Sequence, residues 1–178
     1  MAIRARIMVQ RVTAYASLSG ARAAAKRAAG RPRLREILVS VQMVLLPVFI
    51  QIGLTFALLF GMATLRTRTL ASGETKMRDI ALREPNWPAR ATQFANCFAN
   101  QFELPVLFYV LIALALPLRH ADLFIVLMSW VFVVTRFAHA GIFVSSNKLG
   151  PRSTVWLAGV LVLLAMWIYF ALKMLLLI

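Results

Sequence analysis

Two groups of polar side chains interrupt stretches that are otherwise apolar over a membrane's width. Asn96, Asn100 and Glu103 precede the apolar run of residues 104–118, and Arg136 and His139 lie inside the run of residues 121–144. A charge at the bilayer centre costs ~2.5–3.5 kcal/mol on insertion scales and more on others, so it is rarely kept without a partner or a task. On a helix, the i, i+4, i+7 spacing puts Asn96, Asn100 and Glu103 on one face, and i, i+3, i+7 does the same for Arg136, His139 and Phe143. Turned inward, the two faces bring Glu103 near Arg136. Two readings stay open. One is a buried polar lock that fixes helix register and binds nothing. The other is a binding site, because the faces carry both signs of charge, two amides and an imidazole.

A second feature is Arg152-Ser153, just before Thr154 and another apolar run. Helix N-termini present unpaired N–H groups and the positive end of the macrodipole. With a guanidinium and a hydroxyl added, such an end suits an anion or a thiolate. The plainer reading makes Ser153 the N-cap and Arg152 an interfacial charge. A single cysteine, Cys97, excludes an internal disulfide and reads either as a small packing residue or as a reactive thiol. His120 and His139 lie on different segments, so the sequence supports no metal site, and it has no Gly-rich phosphate loop.

The elements that must position these residues are membrane helices. Of 178 residues, 61% are hydrophobic, well above the ~45–50% of soluble domains. Spans of ~20 apolar residues fall at about 37–65, 92–117, 121–144 and 154–176. They are too long and continuous for barrel strands, so the predicted fold is all-α, an integral membrane four-helix bundle over residues 36–178. Pro47 marks a kink or the start of the first helix proper. Lys173, near the end of the last span, is placed to snorkel.

Residues 1–35 form a separate basic arm with nine Lys/Arg and no acid. It reads as a disordered surface arm, as upstream sequence from a misassigned start, or as a targeting segment. Residues 66–90 make the one long loop, with a short interfacial helix at 76–83 and Trp87 as an interface anchor. A tight hairpin at 118–121 carries Arg119 at its tip, with His120 beside it, and a third loop spans 145–153. Lys and Arg total 20 against 6 acids, but all except Arg136 and Lys173 lie outside the spans. Membrane lipids and topology therefore explain them better than nucleic acid does. The positive-inside rule puts loops 66–90 and 145–153 in the cytoplasm, although the arm, if counted, nearly balances them. The chain is thus a multi-pass protein, of the inner or plasma membrane if its source is bacterial.

At this point the residues resemble a family. The stretch NQFELPVLFY (100–109) and the stretch from Arg136 to Ser153 are similar to the MAPEG family, the membrane-associated proteins of eicosanoid and glutathione metabolism, in a bacterial-type form. Its Asn-x-x-Glu falls on Asn100 and Glu103, followed by Pro105. Its Arg-x-x-His-x-x-x-Tyr falls on Arg136, His139 and Phe143. The Arg-Ser pair of the prostaglandin E synthase branch falls on Arg152-Ser153, sixteen residues after Arg136. The likeness covers residues 40–176 in topology. It implies a homotrimer with sites between protomers, glutathione as cosubstrate and no metal. It also implies a lipophilic small-molecule substrate that is conjugated or reduced. Arg152 and Ser153 become the catalytic pair, and Asn100, Glu103, Arg136 and His139 the glutathione ligands.

The chain departs from the pattern at three places. Phe143 replaces the tyrosine, Asn96 and Ala99 stand where several members have arginines, and Trp156 replaces another tyrosine. Arg90 is the nearest basic residue to those missing arginines. These departures suit an alternative, a non-catalytic lipid-binding or scaffold member like the five-lipoxygenase-activating protein. A third reading, an ion path through Glu103, Arg136 and His139, lacks the inverted repeats and Gly-broken half-helices of transporters.

Overall fold

The computed structural model describes residues 40–81 and 86–176. The basic arm, together with Arg83 and Glu84, lies outside the described residues. The helices are α1 (Val41–Ala71), α2 (Ala89–Ala99), α3 (Leu104–Ala115), α4 (Leu123–Val144) and α5 (Leu149–Leu176). Short 3-10 turns occupy Met77–Ile80 and Asn100–Phe102. Taken as Val41–Ala71, Ala89–Ala115, Leu123–Val144 and Leu149–Leu176, four helical segments are long and apolar enough to cross a membrane. The expected all-α four-span bundle is therefore present.

Helix α1 starts where Ser40 Oγ accepts the N–H of Met43 at 3.3 Å, a cap of the kind worth ~1 kcal/mol. It runs straight through Pro47 for 31 residues, about 46 Å against a hydrocarbon core of about 30 Å. Arg66 and Arg68 consequently belong to its projecting end and not to the loop. Its buried stripe, Val44, Pro47, Gln51, Leu54 and Leu58, follows the three-and-four spacing of a helix face.

The second span is not one helix. Pro105 has no N–H for the carbonyl of Gln101, and its ring would collide with that carbonyl in a continuous helix. Helix α2 therefore closes in the Asn100–Phe102 turn, and Glu103 takes the irregular backbone φ −98°, ψ −103° before α3 begins. At the far end of α3, Arg119 adopts a left-handed φ of 57°. His120 N then reaches Ala115 O at 2.9 Å and Arg119 N reaches Leu116 O at 3.1 Å. This paired closure satisfies carbonyls that the helix end would leave open. The expected hairpin is thus a capping turn with Arg119 at its tip.

Helix α4 is the central element: it packs on α5, α1 and α2, while α3 packs on α5 and α1. One apolar cluster joins Phe108 and Leu111 of α3, Ile125 and Phe132 of α4, and Leu163, Met166 and Phe170 of α5. A second, toward the other end, joins Leu54, Leu58, Cys97, Ala140 and Phe143. Side chains such as Phe49, Phe60, Val134 and Leu161 are exposed, as an apolar solvent requires of an outer surface.

Asp122 opens α4. Its carboxylate accepts the N–H of Ile125 at 3.2 Å, the hydroxyl of Tyr169, and Lys173 Nζ at 2.9 Å. Lys173, near the end of its span, is tied to this carboxylate. Partial burial opposes the charge on Asp122, but the bonds from Tyr169, Lys173 and Ile125 and the lysine charge outweigh it and hold the carboxyl below its ordinary range. A lowered pKa contributes stability above the unfolded value of ~3.9, and that stability is lost as pH falls through the folded value. The Asp122 side chain is 35% exposed and that of Lys173 19%, so solvent screens the pair and its worth is ~0.5–1 kcal/mol. Asp122→Asn is expected to lower the melting temperature in detergent by about 2 °C at neutral pH. The gap from the unsubstituted protein should narrow as pH falls from about 5 toward 3.

Candidate functional site

The end of α1, the starts of α2 and α5, and the end of α4 meet at one end of the bundle. The last carbonyls of a helix have no intrahelical donor. For α4 these donors come from α2: Arg90 donates to Val144 O, and the Gln93 side chain donates to Phe143 O. Arg90 also reaches Gln93 Oε1 at 3.2 Å and lies over the Phe94 ring at 5.1 Å. It is thus committed to ending α4. Arg66, at the same end, lies 4.6 Å from the centre of the Trp87 ring.

The start of α5 corrects one expectation. Gly150-Pro151 looks like a loop breaker, yet the helix begins at Leu149 with Pro151 in its first turn. Proline is tolerated there because its missing N–H belongs to the set that would be unpaired anyway. Arg152 N already bonds Lys148 O at 3.3 Å, so Ser153 is not the cap. The open N-terminal groups are those of Leu149 and Gly150, one turn earlier than the sequence suggested.

The Arg152 side chain donates to Asn147 Oδ1 and lies 4.2 Å from the centre of the Phe143 ring. Asn147 sits at a left-handed φ of 50°, which asparagine tolerates better than most residues. Phe143 in turn meets His139 edge-on at 5.7 Å. Arg152, Phe143 and His139 form a stack leading inward, with the cation on the aromatic face worth ~0.5–2 kcal/mol. Ser153 is exposed beside it.

Below the stack, Arg136 is buried, and it does not meet Glu103. Its Nη2 donates to Val155 O at 3.4 Å and Trp156 O at 3.3 Å on α5. Gly159 makes the room: a Cβ there would overlap the guanidinium. Arg136 thus joins α4 to α5. Among the described residues the ion pairs are Arg78–Asp79 and Lys173–Asp122. Glu103 and Asn96 are exposed and Asn100 is half-buried. The expected inward face fails because Ala91, Cys97 and Gln101 are the positions of this span that face the core, which leaves Asn96 and Glu103 on the exposed side.

Sequence reasoning passed over two features. One is Gly159, whose signal was a glycine inside an apolar span. The other is a buried amide chain: Gln51 Nε2 donates to Gln101 Oε1 at 2.9 Å, and Gln101 Nε2 donates to Cys97 O at 3.1 Å. Gln51, an amide well inside the first apolar span, was its signal. Cys97 is fully buried among apolar neighbours, a packing position. Among the described residues no group of three His, Cys, Asp or Glu lies close enough to hold a metal.

Comparison with family models gives a match to the MAPEG family over residues 44–172. No curated protein and no solved structure matches the chain. The matched stretch contains Asn100, Glu103, Arg136, His139, Arg152 and Ser153.

The Arg136–Gly159 fit has a direct test. Gly159→Ala should cost ~2 kcal/mol or more of stability in detergent, because the added methyl meets a buried, hydrogen-bonded guanidinium. Adding Arg136→Met to that variant should recover most of the loss. Additive losses in the double variant would show that the two residues do not share the site.

Proposed function

The chain belongs to the MAPEG family, and from that premise we propose a glutathione-dependent membrane enzyme that conjugates or reduces lipophilic electrophiles. The observation that carries this reading is the outward polar face of the second span. Asn96 and Glu103 are exposed and Asn100 is half-exposed within a segment of membrane-spanning length. A carboxylate turned to lipid is costly, so this face calls for a partner. A homotrimer supplies one, with Asn100 and Glu103 on one wall of a pocket between protomers and Arg152 and Ser153 on the other.

The residues present fit the tripeptide, which brings two carboxylates, an amino group and a thiol. Nε of Arg66 and Nε of Arg136 are buried without an acceptor, and a carboxylate would satisfy such donors. Glu103 faces the amino group and Asn100 supplies an amide beside it. Arg136 and His139, buried behind Phe143, complete the binding wall. A free thiol has a pKa near 8.5, and its thiolate is the nucleophile. The charge of Arg152 and the hydroxyl of Ser153 favour that form. The apolar second substrate arrives sideways from the bilayer. Loops 66–90 and 145–153 then face the cytoplasm, in keeping with the positive-inside rule.

Phe143 favours a second reading. It has no hydroxyl to offer a sulfur, which suits a non-catalytic lipid-binding or scaffold member. Ultraviolet difference absorbance separates the two. Mixing the protein with millimolar glutathione should give a thiolate band, reduced about tenfold or more in Arg152→Ala. A band unchanged by that substitution would sink the proposed mechanism. Absence of glutathione binding would select the scaffold reading.

A further inference from the structure

We infer that Gln51 and Gln101 form a buried amide clamp that holds the interruption in the second span, and so act as positioning residues for the face bearing Asn100 and Glu103. Gln101 is the residue whose carbonyl Pro105 displaces from helical bonding. A segment released in this way has competing ways to close: one more helical residue, or a shorter turn in a different register. The observed closure is the 3-10 turn Asn100–Phe102: Asn100 N–H still bonds Asn96 O, four residues back, and the N–H groups that follow take the shorter reach of three. That shorter reach leaves the carbonyl four back, Cys97 O, available to the Gln101 side chain, which donates to it at 3.1 Å.

The same side chain is fastened from across the bundle. Gln51 on α1 donates to Gln101 Oε1 at 2.9 Å, and the two residues are 0% and 2% exposed. The amide of Gln101 accepts from Gln51 with its oxygen and donates to Cys97 O with its nitrogen. No water is at hand at this depth to replace either bond. In a turn of three residues, neighbouring side chains stand about 120° apart. Pinning Gln101 inward therefore turns Asn100 and Phe102 away from the core, and Phe102 is 59% exposed. Glu103, next in line, is exposed with them. The clamp sets the direction in which the polar face points. The inference rests on the proposed glutathione site only for the ligand that this face serves.

The test is amide hydrogen exchange on the full chain in detergent, without ligand, followed by glutathione titration. Gln51→Met removes the donor at similar volume, and Gln51→Asn, one methylene shorter, is the milder variant should the first fail to assemble. Each is expected to speed exchange at residues 101–104 about tenfold, the loss of one buried hydrogen bond. Exchange in α4 and α5 should stay unchanged. Glutathione Kd should rise about tenfold while the thiolate absorbance per bound glutathione is retained. Unchanged exchange at residues 101–104 would overturn the clamp. Faster exchange with unchanged glutathione affinity would overturn the positioning role. If the unsubstituted protein binds no glutathione, the proposed function fails, and the exchange result alone decides the clamp.

Discussion

Backbone N–H and C=O groups at membrane depth have no water to turn to, and each unsatisfied one costs several kcal/mol. A straight apolar helix meets this demand by itself; its ends and interruptions do not. In this bundle those places are met by side chains of defined reach. Ser40 and Asp122 cap the starts of α1 and α4. Arg90 and Gln93 close the end of α4 from a neighbouring helix. Gln101 closes the break that Pro105 imposes. Arg136 adds donors to two carbonyls of α5 where Gly159 leaves them reachable. The bonds of Arg90, Gln93 and Arg136 join α4 to α2 and α5 and add to the apolar contact between them.

This demand divides the polar residues into two groups with different freedom. Arg90 and Arg136 have structural duties: moving Arg90 removes the donor to Val144 O, and moving Arg136 removes the bonds that join α4 to α5. Glu103, Asn96 and Ser153 have no such duty within the protomer and are exposed. Arg152 lies between the groups, steadied by Asn147 and the ring of Phe143 yet only half-buried. Side chains held in place but still reachable are the ones a ligand can use. Buried ones contribute by holding the walls.

Much of the fold was legible because the bilayer requires a coarse pattern, long apolar runs bounded by charge. The details that failed turned on single residues with two meanings. Gly150-Pro151 reads as a break, but proline inside a first turn is harmless, so α5 begins at Leu149 and Ser153 is no cap. Pro105 reads as a minor feature of a continuous helix, but it divides the second span into two helices at Glu103. The pairing of Glu103 with Arg136 assumed that opposite charges must meet, whereas a guanidinium is equally served by carbonyls. Gln51 gave a visible signal, an amide well inside an apolar helix, but its partner lies 50 residues away, a distance only the packing of α1 on the second span reveals.

Phe143 shows how a substitution can alter chemistry without altering place. A tyrosine and a phenylalanine present the same ring face, so Arg152 can stack on residue 143 in either case, and the edge contact with His139 needs no hydroxyl. What phenylalanine removes is one O–H donor at the rim of the stack. In the proposed chemistry, charge stabilisation of a sulfur then falls on the Arg152 guanidinium and the Ser153 hydroxyl. The guanidinium is positioned by two contacts that do not involve a ligand, and a donor held in place beforehand costs no reorganisation when charge develops. Ser153 sits one residue further along a helix that is already hydrogen-bonded at Arg152, so its backbone is equally fixed. The loss at residue 143 therefore weakens the site by one hydrogen bond while leaving its geometry standing.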